Sequence, residues 1–409
     1  MKCLSLMANR TFSSNTIIDP SFGLTNSAKQ LQSMAHQFAI NEFRPYMRQW
    51  DEESIFPREQ LRKCAQLGFG AMYVPVEDGG TGLSRLETSV IIEALSQGCV
   101  PTTAMLSIHN MCVGMLSKYG STELKSRIMS PLVNFDLMAS YCLTEPSSGS
   151  DAAGLLTKAT KKDDHYVLNG TKAFISGGGE SDVYFIMCRT GGPGSKGISC
   201  ILVEKGTKGL SFGKLEKKLG WTSQPTRAVI LEECKVPISN LLGEENRGFN
   251  YAMDGINGGR LNIASCSLGA AQWAMEEAIA YSLERKQFNK LLIEFQNTQF
   301  KLANFASELL ASRLLVRAAA SRLDEESQID SSENEYDNKH ISIPPLCAAG
   351  KLFATEKCFT IIDGCLQLLG GYGYLHDFPV QQLLRDSRVH RILEGTNEVM
   401  QLIISKDFF

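Results

Sequence analysis

The chain lacks almost every short signature that would announce its chemistry. No GxGxxG follows a β-like run and no GxxxxGK(S/T) occurs, so neither a Rossmann nucleotide site nor a P-loop has its fingerprint. HExxH is absent, and six separate histidines show no metal-ligand spacing. Twelve cysteines, from Cys3 to Cys365, contain no CxxC pair. In a chain this long they read as reduced, buried thiols, neither a zinc site nor a disulfide framework. No apolar run approaches the ~20 residues of a membrane span. Charge of one sign is missing too. A net charge of −3, with Lys and Arg scattered, gives no nucleic-acid footprint. Acids are absent before Asp19, while Lys2 and Arg10 sit among Ser and Thr. That is the composition of a short organellar presequence over residues 1–19, with a cut expected after Phe12; a plain disordered terminus reads similarly.

What is present divides into three blocks, as 409 residues allow. Residues 20–138 are helical: Ala28 to Phe43, Ser89 to Leu95 and Thr103 to Leu116 repeat apolar residues every three or four positions. Over 139–245 the period becomes two. His165–Leu168, Asn169-Gly170 and Thr171–Ser176 read as a hairpin with a tight primed turn. Gly191 to Gly194 lies between two β runs and reads as a hairpin loop, not a phosphate cradle. Long helices return over 246–409. One carries a stripe of Leu302, Phe305, Leu309 and Val316, with Arg313 and Arg317 expected toward water. Residues 324–345 interrupt this plan. Asp324 to Asp337 holds seven acids and no base, and Pro344-Pro345 follows, so the segment reads as a solvated loop. The fold class expected is α+β and multidomain.

Two distant segments carry the chemistry. Tyr141–Gly154, YCLTEPSSGSDAAG, is an apolar run breaking into a loop of hydroxyls and glycines. Gln367–Met400 carries a Gly-Gly turn and then Glu394, followed at once by Gly395. A polar cradle plus one carboxylate on a loosened turn suits a bound cofactor and proton abstraction. Together the segments resemble the signature regions of the acyl-CoA dehydrogenase family, and the likeness runs from about Ile18 to the C-terminus.

The resemblance implies that family's fold: an N-terminal α domain, a central β domain and a C-terminal four-helix bundle. It implies FAD as cofactor, an acyl-CoA substrate, electron-transfer flavoprotein as acceptor, a homotetramer built as a dimer of dimers, and a mitochondrial matrix location. Carried over residue by residue, Glu394 is the catalytic base. Tyr141, Leu143, Thr144, Ser150, Phe174 and Ser176 line the flavin ring and substrate entrance. Arg285, Gln287 and Phe288, with Gln367 and Gly371 from a partner chain, hold the pyrophosphate and adenosine end. Thr396 and Glu398 are further FAD contacts, and Ser150, Asn257, Arg260 and Gly395 meet the substrate. Some relatives place the base on the helix starting near Met253. Here that position is Gly259, in GINGGR, which leaves the role to Glu394.

Taken singly, each residue has a plainer reading. Tyr141 and Phe174 also read as β-core aromatics, Arg285 as an ion-pair partner of Glu284 or Glu277, and Gly370-Gly371 as a helix stop. Ser147 departs from the family's usual Gly in EPGSGSD, leaving Thr144 and Ser150 in register. Stretches such as SIHNMC, GWTSQPTRAV and NGGRLNIASCSLGAA favour the branch acting on isobutyryl-CoA, with 2-methylbutyryl- and butyryl-CoA as alternatives. A related oxidase and a non-catalytic flavin-binding relative are the other classes considered.

Overall fold

The computed structural model describes residues 16–328 and 342–409. Most of the presequence reading and the middle of the acidic segment therefore lie outside the described residues. Helices come first: α1 (Asn26–Phe38), α2 (Met47–Glu53), α3 (Arg58–Gln66), α4 (Arg85–Ser96), α5 (Val100–Tyr119) and α6 (Thr122–Val133). Their starts follow from local chemistry. Thr25, Ser84 and Ser121 each accept a backbone N–H three residues on, and Glu87 returns a bond to the Ser84 N–H. Within α4, every residue from Thr88 to Ser96 is buried, so this helix is core on all sides.

An eight-stranded sheet follows: β1 (Ala139–Cys142), β2 (Lys158–Lys162), β3 (His165–Ser176), β4 (Val183–Arg189), β5 (Ile198–Glu204), β6 (Leu210–Phe212), β7 (Thr226–Pro237) and β8 (Leu241–Leu242). Its order is β6-β7-β3-β2-β4-β5-β8, and β1 lies parallel to β4. The chain then enters α7 (Gly248–Glu284), a small two-stranded ribbon of β9 (Lys286–Gln287) and β10 (Lys290–Leu291), and α8 (Gln296–Gln328). The last helices are α9 (Ile343–Leu369), α10 (Val380–Ser387) and α11 (Asn397–Ser405). Small residues let α7 run through the middle. A Cβ on Gly269 would lie 2.2 Å from the Glu93 carbonyl oxygen, so only glycine permits the α4–α7 approach.

Three sequence expectations are overturned. Residues 165–176 form one strand, not a hairpin, and the turn lies earlier, at Asp163 (φ 47°), between β2 and β3. Asn169-Gly170 is instead an irregularity against β7. Asn169 accepts the Glu233 N–H at 2.8 Å, and a Cβ on Gly170 would meet the Thr157 hydroxyl at 2.5 Å. Arg313 and Arg317 do not face water: they are 0% and 8% exposed, and both reach Glu93. Helix α8 packs against α4, α7 and α9, so its periodicity reports only one of its buried faces. The acidic segment also starts as helix rather than loop. Asp324 lies on α8 and accepts the N–H groups of Arg85 (2.6 Å) and Leu86 (3.1 Å), supplying negative charge at the start of α4. At its other end, Ile343, Pro344 and Pro345 open α9.

Folded structure reaches into the stretch expected as a presequence, residues 1–19, so that expectation does not hold at its C-terminal end. Ile18 is buried in the main core, and Arg317 donates to the carbonyls of Pro20 (2.6 Å) and Phe22 (2.8 Å). The eleven described cysteines are all buried and free.

Candidate active site

The segment joining α10 to α11 turns at Glu394 and Gly395, both left-handed (φ 57° and 89°). Gly395 accepts this at no cost, whereas Glu394 pays about 1–3 kcal/mol, which the surroundings must over-determine. Thr396 ends the turn by accepting the Val399 N–H at 3.3 Å, capping α11. Behind the turn, Arg260 on α7 donates to the Glu394 carbonyl at 3.4 Å, and Lys351 on α9 donates to the Gly395 carbonyl at 2.9 Å. The Glu394 carboxyl rests against Gly259, where a Cβ would lie 3.0 Å from Oε2. A carboxylate growing from position 259 would compete for the same volume, so glycine there and glutamate at 394 are one arrangement.

Facing this turn is the edge of the sheet. Strand β1 ends in Tyr141 and Cys142 and leads to Leu143 and Thr144, where a loop begins. Glu145 shapes that loop by accepting the N–H groups of Leu156 (2.6 Å) and Thr157 (2.9 Å) and the Lys172 ammonium (2.7 Å). Lys172 also donates to the Leu143 carbonyl at 3.0 Å. Past Lys172 the pairing of β3 with β7 slips, and Phe174 takes a left-handed conformation (φ 58°) and is 71% exposed. The slip turns an aromatic outward that simple alternation would bury.

Two cavities meet here, of about 490 Å³ and 590 Å³. Both are lined by Thr144, Ser150, Phe174, Ser176, Glu394 and Gly395, so they form one cleft. Tyr141, Leu143 and Arg260 line the first only, and Thr396 the second only. The first is walled by Ile108, Met111, Met253, Ile256 and Val399, an apolar surface suited to a short hydrocarbon chain. Burial raises the Glu394 carboxyl to about 7, against the opposing pull of the Arg260 and Lys351 charges. Such a group can take up a proton near neutral pH.

The cleft fits a flat polar ring. Phe174 presents an aromatic face, Thr144, Ser150 and Ser176 bring hydroxyls, and two buried donors, Tyr141 Oη and Trp221 Nε1, have no partner among the described residues. Trp221 was not singled out from sequence. Its left-handed backbone (φ 55°) is pinned by the Asp386 carboxylate, which accepts its N–H at 2.6 Å. Burial raises Asp386 to about 7. Lys351 was missed as well, because a lysine in an apolar helix looks like any surface lysine.

The remaining expected residues lie elsewhere. Arg285, Gln287 and Gly371 line a separate cavity of about 460 Å³ with Tyr281 and Tyr372. Phe288 stands 90% exposed beside it, and Gln367 is exposed on α9. One chain does not bring this group to the cleft. Asn257 is half-buried, and its side-chain oxygen accepts from Arg260 at 2.8 Å. Glu398 is exposed in the first turn of α11.

Comparison with known proteins bears on the family and the fold. The N-terminal, middle and C-terminal domains of acyl-CoA dehydrogenase match residues 25–136, 140–234 and 246–409. A mitochondrial isobutyryl-CoA dehydrogenase of Bos taurus is 55% identical over 389 residues, 95% of this chain and 90% of that protein. One from Dictyostelium discoideum is 54% identical over 403 residues, 98% and 94% of the two chains. A chain solved in work on the electron-transferring flavoprotein of Acidaminococcus fermentans superposes with TM-score 0.89 at 34% identity, covering 95% of this chain and 99% of that one. A glutaryl-CoA dehydrogenase of Mycobacterium smegmatis in complex with FADH2 superposes with TM-score 0.88 at 26% identity, covering 97% and 98%. With three domains matched in order and kinship over nearly the full length, the chain belongs to the acyl-CoA dehydrogenase family.

Proposed function

We propose that this chain is an FAD-dependent dehydrogenase that converts isobutyryl-CoA to methacrylyl-CoA, a step of valine breakdown. The observation that carries this is the Glu394 carboxyl, held in the shared wall of an apolar pocket and a polar ring cradle and raised to about 7. Glu394 takes the proton from the carbon next to the thioester carbonyl; the C–H electron pair is left on the substrate. Bound FAD supplies the acceptor for the hydride that leaves the neighbouring carbon. Tyr141, Thr144, Phe174, Ser176 and Trp221 are the residues that would hold its ring. Apolar walls at Ile108, Met111 and Ile256 exclude water and leave room for a small branched acyl group.

Likeness to the two isobutyryl-CoA dehydrogenases supports the substrate, and their mitochondrial naming supports a mitochondrial protein. The matrix is the compartment we assign, with electron-transfer flavoprotein as acceptor. Arg285, Gln287, Phe288, Gln367 and Gly371 act on a neighbouring subunit's FAD in this reading, which makes the working unit at least a dimer and by family resemblance a tetramer. 2-Methylbutyryl- and butyryl-CoA remain secondary substrates, because one methylene in an apolar pocket discriminates by only about 1–3 kcal/mol.

The test is anaerobic. Purified flavin-loaded protein receives isobutyryl-, 2-methylbutyryl-, butyryl- and isovaleryl-CoA in separate trials, and loss of flavin visible absorbance is timed. Fastest loss with isobutyryl-CoA is expected. Faster loss with another thioester keeps the reaction and moves the substrate, while no loss with any of them overturns the proposal.

A further inference from the structure

Lys351 and, one turn further along α9, the neighbouring Thr355 and Glu356 meet the segment carrying Glu394. Lys351 is 0% exposed. Its ammonium donates to the Gly395 carbonyl at 2.9 Å and to Asn397 Oδ1 at 2.7 Å, both neutral oxygens. The Asn397 amide donates in turn to Thr355 (3.1 Å) and Glu356 (2.6 Å), and Glu356 also accepts from Arg391 at 2.8 Å. Arg260, from α7, reaches the Glu394 carbonyl on the other side. Two successive carbonyls of a strained turn thus end on buried cations from two different helices. Burying an ammonium costs several kcal/mol, and an apolar residue would fill the same place in α9 without that cost. Packing alone does not account for a lysine here.

Resting on the function proposed above, we propose that Lys351 is a positioning residue for the proton transfer. It fixes the Glu394–Gly395 turn so that the carboxyl faces the cleft, and its charge favours the carboxylate that accepts the proton.

The electrostatics can be stated for each facing group. Glu394 is faced by Arg260 from α7, Lys351 from α9, Tyr141 from β1, Tyr73 from the segment before α4 and Cys112 from α5. Lys351 is faced by Glu394, Arg260, Glu356, Glu398 and His390. Burial lowers Lys351 to about 8, opposed first by the Glu394 charge. Removing Lys351 takes away one of the two cations that favour ionised Glu394, so the acid limb of the activity profile must move to higher pH.

The experiment compares the wild type, Lys351→Met and Lys351→Arg as flavin-loaded proteins reduced by isobutyryl-CoA from about pH 6 to 9, alongside acyl-CoA affinity and melting temperature. In the methionine variant, flavin reduction is expected to slow by about tenfold or more. Its acid limb should rise by about one pH unit, with affinity changed less than about twofold. The arginine variant, which keeps the charge, should recover most of the rate and the original limb. A purely structural lysine would lower the melting temperature without moving the limb. A folded methionine variant with wild-type rate and limb overturns the inference alone. A wild type that no acyl-CoA reduces overturns the functional reading and the inference with it. If the methionine variant yields no flavin-loaded protein, Asn397→Ala serves instead: slower reduction supports the positioning role, and an unchanged rate overturns it.

Discussion

Glu394 is where the chemistry of single residues is most exposed to test. Glu394→Gln keeps the shape of the side chain and removes the proposed base; flavin reduction by isobutyryl-CoA should fall by about 10²–10⁴-fold while bound FAD is retained. The same substitution should alter stability in a pH-dependent way. The folded carboxyl is raised to about 7 from 4.5, so the folded state holds this proton more tightly than the unfolded chain. The stability it contributes is complete below the unfolded value and is lost as pH rises through the folded one. The glutamine variant should therefore melt above the wild type at about pH 8, with the gap closing toward about pH 5. Its neighbour offers a second test. Gly259→Ala places a methyl 3.0 Å from the carboxyl, a distance that forces a shift of a few tenths of an ångström. It also replaces a helical glycine, a gain of about 0.5–1 kcal/mol. The expected result is a chain at least as stable as the wild type that reduces its flavin about tenfold more slowly. A variant unchanged in both respects would detach Gly259 from the site.

Among the elements, β3 shows how a local signal misleads. Asn169-Gly170 has the composition of a hairpin turn, but Tyr166, Leu168 and Ile175 all belong to one buried face of the sheet. Pairing with β7 along the whole length outweighs a two-residue preference, and the Asn169 side chain finds its partner across the sheet in Glu233. A few residues later the same strand sets the cleft. Lys172 and Glu145 form a buried ion pair, 0% and 4% exposed, that locks the loop after β1 to β3 just before Phe174 turns outward. Lys172→Met would leave Glu145 without its cation and should cost about 3–5 kcal/mol, measurable as a shift of the denaturation midpoint. Helix α8 gives the matching lesson for charge. Its arginines look like a solvated face in sequence, yet Arg313 reaches Glu93 at 2.8 Å and Gln272 at 2.9 Å inside the bundle.

For the whole molecule, the issue is the distance between the cleft at Glu394 and the cavity at Arg285. If the second cavity grips the far end of a neighbouring subunit's FAD, Arg285→Ala removes charge-assisted hydrogen bonds worth about 1.5–3 kcal/mol. It should weaken FAD retention about tenfold to a hundredfold while leaving Glu394 and its turn intact. Titration of the flavin-stripped protein with FAD measures this, and unchanged affinity would separate the second cavity from the cofactor. The sequence by itself determined the order of a helical block, a sheet and a second helical block, because the period of the apolar residues changes sharply at each boundary. It also marked the Glu394-Gly395 turn and the hydroxyl-rich loop of Tyr141–Gly154, because turns and such loops are local chemistry, whereas Phe174 and Ser176 came only through likeness to the family. Only the tertiary structure decided the surroundings of that carboxyl: Lys351 behind the turn, Trp221 held by Asp386, Asp324 at the start of α4, Arg313 and Arg317 on Glu93. Each depends on what packs against the other side of a polar group, and residues 220 apart in the chain, as Arg313 and Glu93 are, share no periodicity that could reveal it.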